Sequence, residues 1–203
     1  YVEELFNTKQ LAELALLKSL IEKVRNKAIR QSLLLCFYNT LSVINLTFHS
    51  TPKGGGNHFG FYYRYRMAKE PTFKDTLQVF ETKFKRVLKA KQEMEVAITK
   101  KTIKNANIYK GDATNLVAID TQSIDYIYTD PPYGKKIAYL DLSAMWNAWL
   151  NLKVTKSDFK KEAIEGGSLN KSADEYCDLI RKSIEEMYKA VSYTHLRAHE
   201  TRF

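Results

Sequence analysis

The stretch Ile124-Asp125-Tyr126-Ile127-Tyr128-Thr129-Asp130-Pro131-Pro132-Tyr133-Gly134 decides how the chain is read. Its first six residues are mostly β-branched or aromatic, the composition of a buried strand. Two prolines then stop it, because each lacks a backbone N–H and restricts the residue before it. Asp130 is thereby predicted at the carboxyl end of a strand, where open α/β sheets bind their ligands. The other reading of the same residues is an ordinary strand-ending turn rich in proline and aspartate.

A carboxylate followed by two prolines and an aromatic ring suits one kind of chemistry. The exocyclic amino group of a nucleobase is a poor nucleophile, because its lone pair is delocalised into the ring. Two acceptors aimed at its two hydrogens would turn that lone pair toward an electrophile and stabilise the charge that develops on nitrogen. Asp130 supplies an anionic acceptor, and the Pro131 carbonyl supplies a second in a turn poor in donors. Tyr133 offers a flat face for stacking, and Gly134 permits close approach. A base in such a pocket has to leave its duplex first.

Outward from this segment, an α/β grammar is predicted from about residue 105 onward. Ile108-Tyr109 reads as a short strand running into Gly111-Asp112-Ala113, and a helix is expected around Leu142, Met145, Trp146, Trp149 and Leu150. Ser172-Ala173-Asp174-Glu175 is a capping-box sequence that opens a helix over about residues 173–190. Toward the N-terminus, Leu11, Leu14, Leu17, Ile21 and Val24, then Ile29, Leu33, Cys36, Phe37 and Leu41, recur at helical spacing. They predict two helices, the first capped by Asn7 or Thr8, with the turn at residues 23–27.

Between residues 50 and 71, Gly54-Gly55-Gly56 reads as a loop leading into a short strand. There Phe59, Phe61, Tyr63 and Tyr65 alternate with Arg64 and Arg66. Aromatics interleaved with arginines suit base stacking and phosphate contact, but a half-buried strand with a solvated face is the commoner source of the same period, which needs no ligand. Phe73, Leu77, Phe80, Phe84, Val87 and Leu88 then share a helical face, with Lys83, Lys85, Arg86, Lys89 and Lys91 around the remainder. This basic helix either follows a nucleic-acid backbone or presents a solvated lysine face.

With these residues in hand, the chain resembles the S-adenosylmethionine-dependent DNA amino-methyltransferases, whose motif is Asp-Pro-Pro-Tyr. More narrowly, Asp130-Pro131-Pro132-Tyr133-Gly134, with Tyr139-Leu140-Asp141-Leu142-Ser143 and Trp149-Leu150, looks like the bacterial adenine-specific DNA methylases of the N-4/N-6 type. The resemblance implies an α/β fold, a partial Rossmann-like catalytic core over residues 105–190 preceded by an α-helical insertion over residues 1–104. It implies Asp130, Pro131, Pro132 and Tyr133 as catalytic residues, Gly111 and Asp112 as contacts of the cofactor S-adenosylmethionine, and DNA as partner. Tyr133, Gly134 and Lys135, with Arg64 and Arg66, are then the expected nucleic-acid contacts. Adenine N6 is favoured over cytosine N4 as target. An RNA guanine-N2 methyltransferase, or a non-catalytic nucleic-acid-binding module on a methylase fold, is the rival reading. The chain departs from the family in lacking a Phe-x-Gly-x-Gly turn for the methionine part of the cofactor, so tight cofactor binding is not expected of residues 1–190.

Lysine and arginine number 32 against 23 acidic residues, a net charge of +9 that favours an anionic partner. No apolar run reaches the length of a membrane span, and a cytoplasmic setting is expected. Cys36 and Cys177 read as reduced, packed thiols, with no Cys or His spacing for a metal. The chain opens on Tyr1 in a helical pattern, as an internal fragment would. Residues 191–203 look like the in-frame translation of a transposon-based sequencing adapter, which would strip His195 and His199 of meaning.

Overall fold

The computed structural model describes residues 2–51, 54–57, 65–98 and 105–192. The adapter-like stretch 191–203 falls for its last part, residues 193–203, outside the described residues. The chain divides into two compact units. The first combines Tyr1–Asn107 with Tyr139–Val154, and the second combines Ile108–Ala138 with the chain from Thr155 onward. Tyr139–Val154, which the sequence places in the catalytic core, therefore belongs with the N-terminal helices.

In the first unit, α1 (Thr8–Glu22) and α2 (Lys27–Leu41) form a helical hairpin. Asn7 caps α1 through a reciprocal box with Gln10, each side chain taking a backbone donor of the other at 2.8–3.0 Å. Asn26 caps α2 through the Ile29 N–H. Leu14, Leu17 and Ile21, at steps of three and four, bury one stripe of α1 against Phe37 and Leu41 of α2. A short antiparallel ladder follows, β1 (Phe48–Thr51) paired with β2 (Gly54–Asn57).

Helix α3 (Thr76–Ala97) packs on α2, led by Asp75 as its cap. Its buried start is tied to α1 by the Thr76 hydroxyl, which donates to Glu13 at 2.5 Å. Val79 and Phe80 turn toward the core, while Phe73, Leu77, Phe84 and Leu88 of the predicted apolar face are exposed. Lysine-rich sequence around the helix hides which apolar residues face inward.

In place of the one longer helix predicted around Met145, two short ones form, α4 (Tyr139–Leu142) and α5 (Ala144–Trp149). They close the core of the first unit. Met145 is fully buried, and Trp149 meets the edges of Phe6 and Phe37 with centroids 5.6 and 5.7 Å away. Tyr65 clamps the joint, donating to the Leu142 carbonyl at 2.5 Å and accepting from the Met145 N–H at 3.1 Å. Burial pushes its phenol up from the usual tyrosine range.

The second unit contains α6 (Lys156–Lys161) and α7 (Ala173–Ala190), both opened by capping boxes, Thr155 with Asp158 and Ser172 with Glu175. Its buried apolar residues among those described are Ile164 and Ala190 alone. Lys171 is buried too, and its ammonium donates to the Lys160 and Glu162 carbonyls at the end of α6. Burial lowers the pKa of this lysine.

The α/β, Rossmann-like expectation is overturned. The molecule is predominantly helical, and the β1–β2 ladder is the only sheet among the described residues. Neither predicted strand forms: Ile108 is 97% exposed, and Tyr126 and Tyr128 are 77% and 85% exposed. Residues 125–129 make no ladder, and one isolated parallel bridge joins Ile124 to Val191. β-propensity expresses packing against neighbouring strands, and no strand among the described residues covers these residues. Cys177 is exposed, contrary to its reading as a packed thiol, whereas Cys36 is buried, which raises its thiol pKa.

Truncating the seam should therefore unfold the first unit. Phe37→Ala is expected to cost about 3–5 kcal/mol and Met145→Ala about 2–5 kcal/mol. Leu77→Ala, on the exposed side of α3, should stay within about 0.5 kcal/mol. Urea denaturation of the three variants checks this ranking.

Candidate functional site

The predicted catalytic segment lies in the second unit as an irregular turn that other parts of that unit hold in shape. Gly134 adopts a φ of +54°, a left-handed conformation that disfavours other residues. A Cβ there would meet nothing within 4 Å, so backbone conformation, not close approach, is its requirement. Its carbonyl accepts from the Glu165 N–H at 3.2 Å, and the Glu165 carboxylate pairs with Lys135 at 2.7 Å. Lys135 is thus engaged within the protein, although its side chain stays exposed.

Tyr176, near the start of α7, donates its hydroxyl to the Pro132 carbonyl at 2.7 Å. Tyr133, 51% exposed, donates to Asp130 Oδ1, also at 2.7 Å. These two bonds sort the acceptors of the segment. Among the described residues, Asp130 Oδ2 and the Pro131 carbonyl have no partner, and both residues are exposed. The two acceptors singled out from the sequence are thus both open.

Asp112 is differently placed. Its Oδ1 accepts from the Thr114 N–H at 2.9 Å and the Thr114 hydroxyl at 2.7 Å, and its Oδ2 pairs with Lys161 at 3.2 Å. Every carboxylate oxygen is occupied, as in a structural Asx turn. The Thr114 hydroxyl first, then its N–H and Lys161, hold the carboxyl below the ordinary aspartate range against a smaller desolvation effect. Gly111 beside it is exposed, and a Cβ at that position would likewise meet no atom within 4 Å.

Arg66 and Tyr65 lie in the first unit, Arg66 exposed and Tyr65 half-buried at the joint of α4 and α5. Arg64 lies outside the described residues. A cleft of about 390 Å³ between α1 and α5 is lined by Phe6, Leu11, Ala15 and Trp149, and a second runs along α7 by Tyr176 and Ile180. Neither is lined by Asp112 or Asp130. No group of three or more His, Cys, Asp or Glu side chains among the described residues is arranged to hold a metal.

Tyr176, Glu165 and Lys161 were not legible as site residues. They come from the 155–176 region, 44 residues from Pro132 in the case of Tyr176, and only folding brings them there. The pair Gly166-Gly167 and Asn170, all at positive φ, are the local signals that this region turns sharply.

No family model, no curated protein and no solved structure matches this chain. No helix among the described residues is long and apolar enough to cross a membrane.

Because Asp112 is depressed, its contribution to stability is complete above the ordinary aspartate pKa and is lost as pH falls through the lower folded value. Carbon-detected NMR titration should place this carboxyl below the usual aspartate range and return it upward in Thr114→Val. Identical titration curves for the two proteins would contradict the assigned cause.

Proposed function

We propose that this chain carries the amino-group-binding segment of a DNA amino-methyltransferase. The observation that carries the reading is the pair of open acceptors, Asp130 Oδ2 and the Pro131 carbonyl, beside the exposed ring of Tyr133. A planar base lies on the Tyr133 ring while its exocyclic amino group donates one hydrogen to each acceptor. This draws the nitrogen lone pair out of conjugation and would offset positive charge developing on the nitrogen. Tyr133 has a second task, since its hydroxyl orients the Asp130 carboxylate. Tyr176 acts one step further back, taking the Pro132 carbonyl and steadying the turn.

The methyl donor in this reading is S-adenosylmethionine, as the Asp-Pro-Pro-Tyr resemblance implies. The described residues do not fit a complete pocket for it: Asp112 is fully engaged by Thr114 and Lys161, Gly111 is open to solvent, and neither cleft is lined by them. DNA as partner accords with the net charge of +9, and a cytoplasmic setting belongs to the same reading.

Asp130→Ala, in the protein that carries this chain, should lower methyl transfer to DNA by about 10²–10³-fold or more while sparing most DNA affinity. Tyr133→Phe should lose about tenfold, through the bond to Asp130, and Tyr133→Ala more, through stacking as well. Transfer of radiolabelled methyl groups, followed by nucleoside analysis, measures both effects. N6-methyladenine in DNA is the expected product; near-normal turnover by Asp130→Ala, or methylguanine in RNA, would reject the proposal.

A further inference from the structure

We propose that Lys74, Lys83 and Arg86 of the first unit form a binding surface for the phosphodiester backbone of duplex DNA. The choice of DNA rests on the amino-methyltransferase reading; the cation arrangement stands by itself. Helix α3 carries five cations, and they are not equivalent. Lys85 and Lys89 each pair with a carboxylate one turn away, Glu81 at 2.7 Å and Glu93 at 3.8 Å. Lys83, Arg86 and Lys91 have no ion pair among the described residues, and neither has Lys74 just ahead of the helix.

Lys83 and Arg86 are three residues apart and so neighbours on one side of α3. Lys83 shares the half-buried stripe of Phe80 and Val87, so its ammonium is partly desolvated. Burial lowers its pKa, and Arg86 and Lys74 lower it further. Lys74 in turn lies 4.9 Å from the centre of the Phe48 ring on β1, a cation–π contact that holds it against the β1–β2 hairpin. Arg86 and Lys74 are thus gathered about Lys83, whose charged form they disfavour, and helix and hairpin both contribute to holding the three. A ligand with closely spaced negative charges offsets that effect, and phosphodiester groups along a duplex provide such charges.

Equal changes of charge at the two classes of cation separate a site from general basicity. Fluorescence anisotropy of the full chain with a short labelled DNA duplex, over a salt series, gives the slope of log affinity against log salt. Lys74→Gln with Arg86→Gln should weaken binding and reduce that slope by about 1.8, near 0.9 for each phosphate contact. Lys85→Gln with Lys89→Gln, the same loss of two charges, should leave the slope nearly unchanged. Lys83→Met keeps the apolar stem in the seam and should lower the slope by about 0.9 if the fold, checked by circular dichroism, is intact. Equal effects of the two double variants, no binding by the parent chain, or tighter cluster-dependent binding of an RNA hairpin would each overturn the proposal. Loss of methyl transfer with this binding pattern intact would instead count against the enzymatic reading alone.

Discussion

Burial of one apolar seam, Leu14, Leu17 and Ile21 against Phe37 and Leu41, closed by Met145 and Trp149, is what the first unit depends on. Each of these side chains stabilises the fold by roughly 1.5–3 kcal/mol when removed from water, and they lie within a single unit. The seam also explains the unexpected allegiance of Tyr139–Val154. Met145 and the two tryptophans are large apolar groups that pack against the core of the α1–α2 hairpin. Tyr65 then secures the junction with two backbone hydrogen bonds.

The second unit is organised on another basis. With Ile164 and Ala190 its only buried apolar residues among those described, polar latches carry the arrangement. Lys171 satisfies carbonyls at the end of α6, Glu186 accepts from the Leu116 N–H at 3.2 Å, and Ala190 accepts from Ser123 and Ile124. Such bonds contribute about 0.5–1.5 kcal/mol each, so they define local geometry more than they secure a core. The Asp130 turn belongs to this unit, and its shape comes from Glu165 and Tyr176, not from packing.

Electrostatics follow the same contrast between satisfied and unsatisfied groups. Asp112 looks like a ligand-binding carboxylate in sequence but engages both oxygens inside the protein. Asp130 keeps one oxygen open, and along α3 the cations divide into those with a carboxylate one turn away and those without. Residue type alone distinguishes none of these cases; the partners do.

Local chemistry by itself determined the helix ends and the helical hairpin. Asn7, Asn26 and the Ser172–Glu175 box act within three residues, so their hydrogen bonds are written in the spacing, and the apolar stripe of α1 follows from helical periodicity. The acceptor character of Asp130 and Pro131 was equally local, because proline cannot donate and aspartate is short. Tertiary structure alone decided the rest. It left residues 124–129 without a ladder and largely uncovered, since a strand exists only when a neighbour takes its backbone groups. It moved the Trp-rich segment into the first unit, because burial favours whichever seam can close, and it selected Pro131 over Pro132 as the open carbonyl by bringing Tyr176 across 44 residues.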